Sequence, residues 1–164
     1  MSKPKLKIPE ISKKDKEINL LNAFNSKRKR HALILHKKGA YFNEAVNFIY
    51  SSSYMIPHQH NADEKSEFIY LIEGNITILY FKDNGEITKK HVLNDKDKRY
   101  INVPPYTWHT YVVNSNYAIT YETMNGIYDP ISWKHFANWA PKELSNEASL
   151  FLEFLKSNSQ KHFA

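Results

Sequence analysis

The chain has no cysteine among its 164 residues, and that absence removes disulfide scaffolding, thiol catalysis and zinc–thiolate sites together. Any metal must be held by nitrogen and oxygen donors. Also missing is an apolar run approaching the roughly 20 residues that a membrane-spanning helix needs, and the start, Met1-Ser2-Lys3-Pro4-Lys5, leads into no apolar h-region. The expectation is a soluble, cytoplasmic protein that makes no use of a membrane. There is no internal repeat and no low-complexity linker, so one domain is the default at this length.

Negative charge is scarce at the N-terminal end. Residues 1 to 40 carry 12 Lys/Arg against 3 Asp/Glu, whereas residues 41 to 164 carry 11 against 14. Within that basic part, Lys27-Arg28-Lys29-Arg30 is the candidate phosphate or nucleic-acid contact, because clustered cations attract polyanions with little sequence preference. A solvated charged segment is the plainer account, and a sugar nucleotide would satisfy the patch as well as a nucleic acid would. No helix-turn-helix, RNP-like or zinc-finger pattern accompanies it, so nucleic acid is not an expected partner.

Residues 1 to 9 are rich in lysine and proline and read as a mobile leader. Ser12 followed by Asp15, Ile18, Leu20, Leu21 and Phe24 has the N-cap and spacing of a short amphipathic helix. From His31 the texture is β-like. Ala32 to His36, Ala45 to Tyr54, Glu67 to Leu71, Asn75 to Phe81, Glu86 to Leu93, Tyr100 to Val103, His109 to Val113 and Tyr117 to Thr123 are short runs rich in β-branched and aromatic residues. Asp83-Asn84-Gly85 between two of them is a strong hairpin signal. Many short strands at short spacing predict a sandwich or barrel and exclude an alternating α/β sheet. Leu144 to Lys156 returns to helical spacing. The expected organisation is a basic, helical extension over residues 1–30, a barrel over 31–130 and a C-terminal helical segment over 131–164 packed on it.

The chemistry concentrates in Pro57-His58-Gln59-His60, Glu67 with Gly74, and Pro104-Pro105-Tyr106-Thr107-Trp108-His109. In a strand, side chains at i and i+2 share a face, so His58 and His60 can point to one interior point. Glu67 at the start of the next strand can come alongside, and His109 can close the set from a later strand. Three imidazoles and one carboxylate are a donor set for one divalent transition metal, with positions left open. Iron, manganese, nickel, zinc, cobalt and copper all suit it. A chain with eight histidines will contain an HxH by chance, so the weight lies in the conjunction and its order. Glu64 and Asp63 are the rival carboxylates.

These residues carry a family resemblance. Pro57 to His60, Glu67 and Gly74 resemble the first cupin motif, and Pro104 to His109 with Asn114 resemble the second. The gap from His60 to Glu67 is longer than usual, and Tyr106 stands where that motif commonly has glycine. Leu35-His36, Ser53 to His60, Leu79 to Gly85, Trp108-His109-Thr110, Glu122 with Gly126-Ile127-Tyr128, and Trp139-Ala140-Pro141-Lys142-Glu143 narrow the likeness. Over residues 17 to 143 the chain resembles the WbuC family of cupin-fold metalloproteins, which is associated with O-antigen gene sets. The resemblance implies a mainly β cupin, a jelly-roll barrel or double-stranded β-helix, with a short N-terminal helix and a C-terminal helical segment.

His36, Tyr54, His91, Tyr106, Tyr111, Tyr121 and Glu122 are the polar groups placed to approach the interior. Of these, His36, Glu122 and Tyr54 are the catalytic candidates, the first two because they match the family's pattern. The leading expectation is a metal-dependent isomerase or epimerase acting on a sugar or sugar nucleotide in cell-surface polysaccharide synthesis. The alternatives are an iron-dependent dioxygenase and a non-catalytic saccharide-binding module. A carbohydrate-type small molecule is the expected ligand, and exposed barrel edges suggest a homodimer.

Overall fold

In the computed structural model, which describes residues 6–160, the chain runs α1 (Lys13–Asn25), β1 (Arg30–Ile34), β2 (Phe42–Tyr50), β3 (His58–Gln59), β4 (Glu67–Glu73), β5 (Ile76–Phe81), β6 (Ile87–Leu93), β7 (Tyr100–Val103), β8 (Trp108–Val113), β9 (Tyr117–Asn125), β10 (His135–Phe136) and α2 (Ala148–Ser159). The first five residues of the expected leader lie outside the described residues. Ile8 and Ile11, which follow, pack against the apolar cluster beneath α1. The strands form two antiparallel five-stranded sheets, β1-β2-β9-β4-β7 and β10-β3-β8-β5-β6.

Period-two alternation decides what each sheet presents to the other. The apolar filling is Ile69 and Leu71 from β4, Ile76 and Ile78 from β5, and Val113 from β8, with Ile49 and Ala118. Intervening residues face outward but are covered as well. Val46, Phe48, Ile119 and Tyr121 lie under α1 with Ala23, while Leu79, Phe81 and Val112 lie under α2 with Ala148, Leu152 and Leu155. This double covering explains why β5 (ITILYF) and β8 (WHTYVV) read as nearly continuous apolar runs rather than clean alternation.

Both helices differ from expectation in detail. Ser12 caps α1 by accepting from the Asp15 N–H at 3.0 Å. The stripe that α1 lays on the sheet is narrow, centred on Asn19, Leu20 and Ala23; Ile18, Leu21 and Phe24 remain exposed, Phe24 touching Tyr50 of β2 edge-on. The C-terminal helix starts at Ala148 rather than Leu144. Leu144 takes φ +61, and the Ser145 N–H is bonded to the Lys142 carbonyl in a turn.

The Asp83-Asn84-Gly85 turn joins β5 to β6 as expected, with the Gly85 N–H donating to the Lys82 carbonyl at 3.0 Å. Gly74 closes the β4–β5 connection at φ +102, and a Cβ there would lie 2.6 Å from the Tyr117 carbonyl oxygen. That neighbour is backbone within β9 and cannot step aside. Gly74→Ala should therefore destabilise the fold by about 2–4 kcal/mol, read as a lower urea midpoint at unchanged slope; an unshifted midpoint would show that the β4–β5 corner adapts.

Candidate metal centre

Both sheets deliver donors to one end of the barrel. His58 and His109 are register partners on β3 and β8, with ring centroids 4.5 Å apart. His60 follows β3, and Glu67 opens β4 on the opposite sheet. Their candidate ligand atoms all lie within 4.8 Å of one another, and the three histidines are buried. The rival carboxylates are elsewhere: Asp63 accepts from the Tyr106 hydroxyl at 3.0 Å, and Glu64 is exposed.

The tautomers follow from the partners. His58 Nδ1 lies 2.9 Å from the Ile56 carbonyl, His60 Nδ1 2.7 Å from the Trp133 carbonyl, and His109 Nδ1 2.8 Å from the Thr107 carbonyl. A carbonyl oxygen only accepts, so each Nδ1 carries the hydrogen and each neutral ring presents a bare Nε2 to the centre. Two of these Nε2 atoms face Glu67 Oε2, His109 at 2.8 Å and His60 at 3.2 Å. Two acceptors at such distances need a proton or a cation between them. His58 Nε2 is buried with no hydrogen-bond partner among the described residues. An orphaned imidazole lone pair beside a carboxylate, with all three rings oriented by backbone oxygens, is what a bound divalent ion would satisfy.

The electrostatics run the same way. Burial, reinforced by the nearby Lys134 charge, pushes His58 well below its ordinary value, so its ring stays neutral and able to ligate. Burial alone would raise Glu67, but its contacts with His109 and His60 outweigh that and hold it well below the usual carboxylate range.

Beside the cluster stands Glu122 on β9, a half-buried carboxyl that accepts from the Tyr111 hydroxyl at 2.7 Å and from Thr120 at 3.1 Å. Burial first, and then the Glu67 charge, push it up to about 7 against those hydrogen bonds. Tyr111 is itself held well above its ordinary value by burial and by Glu122. A carboxyl poised near neutrality that lines the same cavity as the donor cluster is suited to moving a proton.

His36 sits at the rim. Its Nδ1 accepts from the Glu44 N–H at 2.9 Å, and it lines a cavity of about 130 Å³ with Glu44, Glu67 and Glu122. Tyr54 is not brought to the centre. Its hydroxyl donates to the Pro141 carbonyl at 2.8 Å and its ring packs edge-on against Phe151 of α2. Tyr121 also points away, bonded to Glu44 on the α1 side, because Thr120 and Glu122 take the inward parity of β9. Tyr106 is exposed, and His91 packs against Tyr80 on β6.

Sequence reasoning missed the segment that crosses the mouth. Asp129 ties it together, accepting from the Ile131 N–H and the Ser132 hydroxyl. Short β10 then pairs with β3, and the Ala137 N–H donates to the Pro57 carbonyl. This places Trp133 against His60 and aims Lys134 at the cluster, where it lines a cavity of about 440 Å³ with Glu67, Glu122, Arg28 and Arg30. Burial pushes the half-buried Lys134 ammonium down, while Glu67 and Glu122 hold it up. Neither spacing nor periodicity marks this residue; only the register of a two-residue strand does.

The family model described as "Domain of unknown function (DUF6016)" matches residues 12–93, half of the chain. No curated protein matches. Among solved structures, the chain is similar to the capsular polysaccharide assembling protein CapF from Staphylococcus aureus, at 17% identity and TM-score 0.50, over 65% of this chain and 34% of that one. The same figures hold for CapF with the inhibitor 3-isopropenyl-tropolone. The FeII form of HppE gives 13% identity and TM-score 0.46 over 58% and 49% of the two chains. The chain thus spans about a third of the length of CapF, and the likeness shows the fold, a cupin-like pair of antiparallel sheets.

Glu122 supplies a pH signature with a definite sign. In chelator-treated protein it binds its proton more tightly folded than unfolded, so its contribution to stability is full below 4.5 and is lost as pH rises through about 7. Between about pH 5 and about pH 8, wild type should lose on the order of 2 kcal/mol of unfolding free energy relative to Glu122→Gln. Paired urea titrations measure this, and a pH-independent difference would mean that the carboxyl titrates normally.

Proposed function

For a chain that belongs to the DUF6016 family and folds as a cupin, we propose a metal-dependent enzyme that isomerises or epimerises a sugar or sugar nucleotide. The observation that carries this reading is the juxtaposition of the His58, His60, Glu67 and His109 donors with Glu122, whose carboxyl is pushed up to about 7 by burial and the Glu67 charge. A bound divalent ion supplies polarisation of a carbonyl or adjacent hydroxyl, which acidifies the neighbouring C–H. The chain's own groups do the rest. Glu122 takes a proton from carbon and returns it, Tyr111 and Thr120 hold its carboxyl in place, and Trp133 with the segment around it screens the site from water. His36, on the other side of Glu122, is placed to exchange a proton with solvent.

The polysaccharide setting rests on the resemblance to the WbuC family and on the printed description of CapF, both of which support a carbohydrate ligand. A homodimer is part of the same reading. It is supported by the open edge of β1, where Ile34, Leu35 and the neighbouring Phe42 are exposed. Sedimentation across a dilution series should show it, and a monomer throughout would remove it.

The decisive experiment joins metal analysis to turnover. Tag-free protein should carry about one equivalent of transition metal per chain, and His58→Ala/His60→Ala less than about a tenth of that. Incubated in D2O with a panel of sugars and sugar nucleotides, the loaded protein should place solvent deuterium on carbon in strictly anaerobic buffer. Turnover only in the presence of oxygen would replace the reading with a dioxygenase, and binding without exchange would replace it with a saccharide-binding module.

A further inference from the structure

The 440 Å³ cavity beside the donors holds cationic N–H groups that the residues around it do not engage. Arg28, Arg30 and Lys134 converge on its wall. They are close enough that the two guanidinium charges act on the Lys134 ammonium. Arg30 is engaged through both of its terminal nitrogens: Nη1 donates to the Ser53 hydroxyl and the Tyr54 carbonyl, each at 3.2 Å, and Nη2 pairs with Glu143. Arg28 is not, since only its Nε faces Glu143, at 2.8 Å, and the outer edge of its guanidinium has no hydrogen-bond partner among the described residues. Lys134 Nζ makes no hydrogen bond among the described residues either. Glu143 therefore serves two arginines, which leaves Arg28 with free terminal N–H groups and Lys134 without a bonded anion among the described residues.

Charge counting fixes what would complete the set. Three cations, Arg28, Arg30 and Lys134, stand against three carboxyls, Glu67, Glu122 and Glu143, which is neutral when all are ionised. A divalent ion on the His/Glu cluster takes the cavity to about +2, and protonation of Glu122 takes it further. Like charges held together in a partly desolvated wall repel one another unless an anion enters. A neutral sugar leaves that repulsion in place, whereas a phosphate ester brings about two negative charges and several strong acceptors for free N–H groups. The same wall carries the rings of Trp133, Phe136 and Tyr128, flat surfaces against which a sugar face packs.

We propose that the cavity selects a phosphorylated saccharide, with Arg28 and Lys134 gripping the phosphoryl group while the sugar lies toward the metal cluster. This rests on the preceding reading of the cluster as a metal site and narrows it from any sugar to an anionic one. It also assigns to Arg28 and Lys134 a role in specificity that is separate from the chemistry.

Calorimetric titration of the metal-loaded protein with glucose 1-phosphate and with neutral methyl glucoside tests this, with metal content measured on every sample. Glucose 1-phosphate should bind at least about tenfold more tightly, a preference that weakens with added salt. Arg28→Gln and Lys134→Gln should each reduce the preference by roughly three- to tenfold, and the double variant should abolish it, at unchanged metal content. Lys134→Arg, which keeps the cation, should retain it. Equal affinity for the two probes, no binding of glucose 1-phosphate, or a preference that survives in the double variant would overturn the proposal when the metal complement is full. Wild-type protein that takes up no metal would overturn the metal reading instead, and the two probes compared on that sample would still show whether Arg28 and Lys134 hold the phosphoryl group.

Discussion

Three hydrogen bonds from imidazole Nδ1 to backbone carbonyls are the constraint on which the candidate site rests. They fix three tautomers, so that three bare Nε2 atoms and the Glu67 carboxylate are turned toward one point. Without them each ring could rotate or change tautomer to find its own partner. With them, His58 keeps a buried nitrogen that none of the described residues satisfies. An unsatisfied buried polar atom costs roughly 1–3 kcal/mol. The fold accepts that cost at the mouth of the barrel, which places the bias toward a cation in backbone geometry as much as in residue type.

The same logic separates what alternation could reveal from what it could not. That His58, His60, Glu67 and His109 would converge was legible, because period-two parity and the order of the strands bring them to one end of the barrel. Glu122 was singled out by the family resemblance rather than by alternation, and in the structure it shares its inward parity with Thr120. Tyr121, one position away, was misread as an interior group because its neighbours' parity was not applied to it. Tyr54 was misread because its ring follows α2, whose first turn begins four residues later than its apolar spacing suggests. The apolar face of α1 was overread, since a helix lying on a sheet buries only the stripe in contact.

Lys134 and the Trp133 carbonyl were beyond reach for another reason. Both come to the centre through β10, two residues long and paired with β3 about seventy-five positions earlier in the chain. A pairing that short has no periodicity to detect, and a backbone carbonyl is present at every residue. The basic stretch Lys27-Arg28-Lys29-Arg30 was visible, but its division of labour was not. Glu143 draws Arg28 and Arg30 together from a remote segment and leaves them in different states of engagement.

One of the three orienting carbonyls does not belong to the barrel wall. Those serving His58 and His109 come from residues two positions earlier in the chain, just ahead of β3 and β8, whereas His60 is held by Trp133, in the segment that crosses the mouth. The doorway and one of the donors thus share a hinge pin. Any outward swing of this segment large enough to break that bond would also free the His60 ring to turn. A molecule wedged against Trp133 would do the opposite, locking the donor in its ligating pose. Opening of the doorway and the pose of the His60 donor are joined by one peptide group.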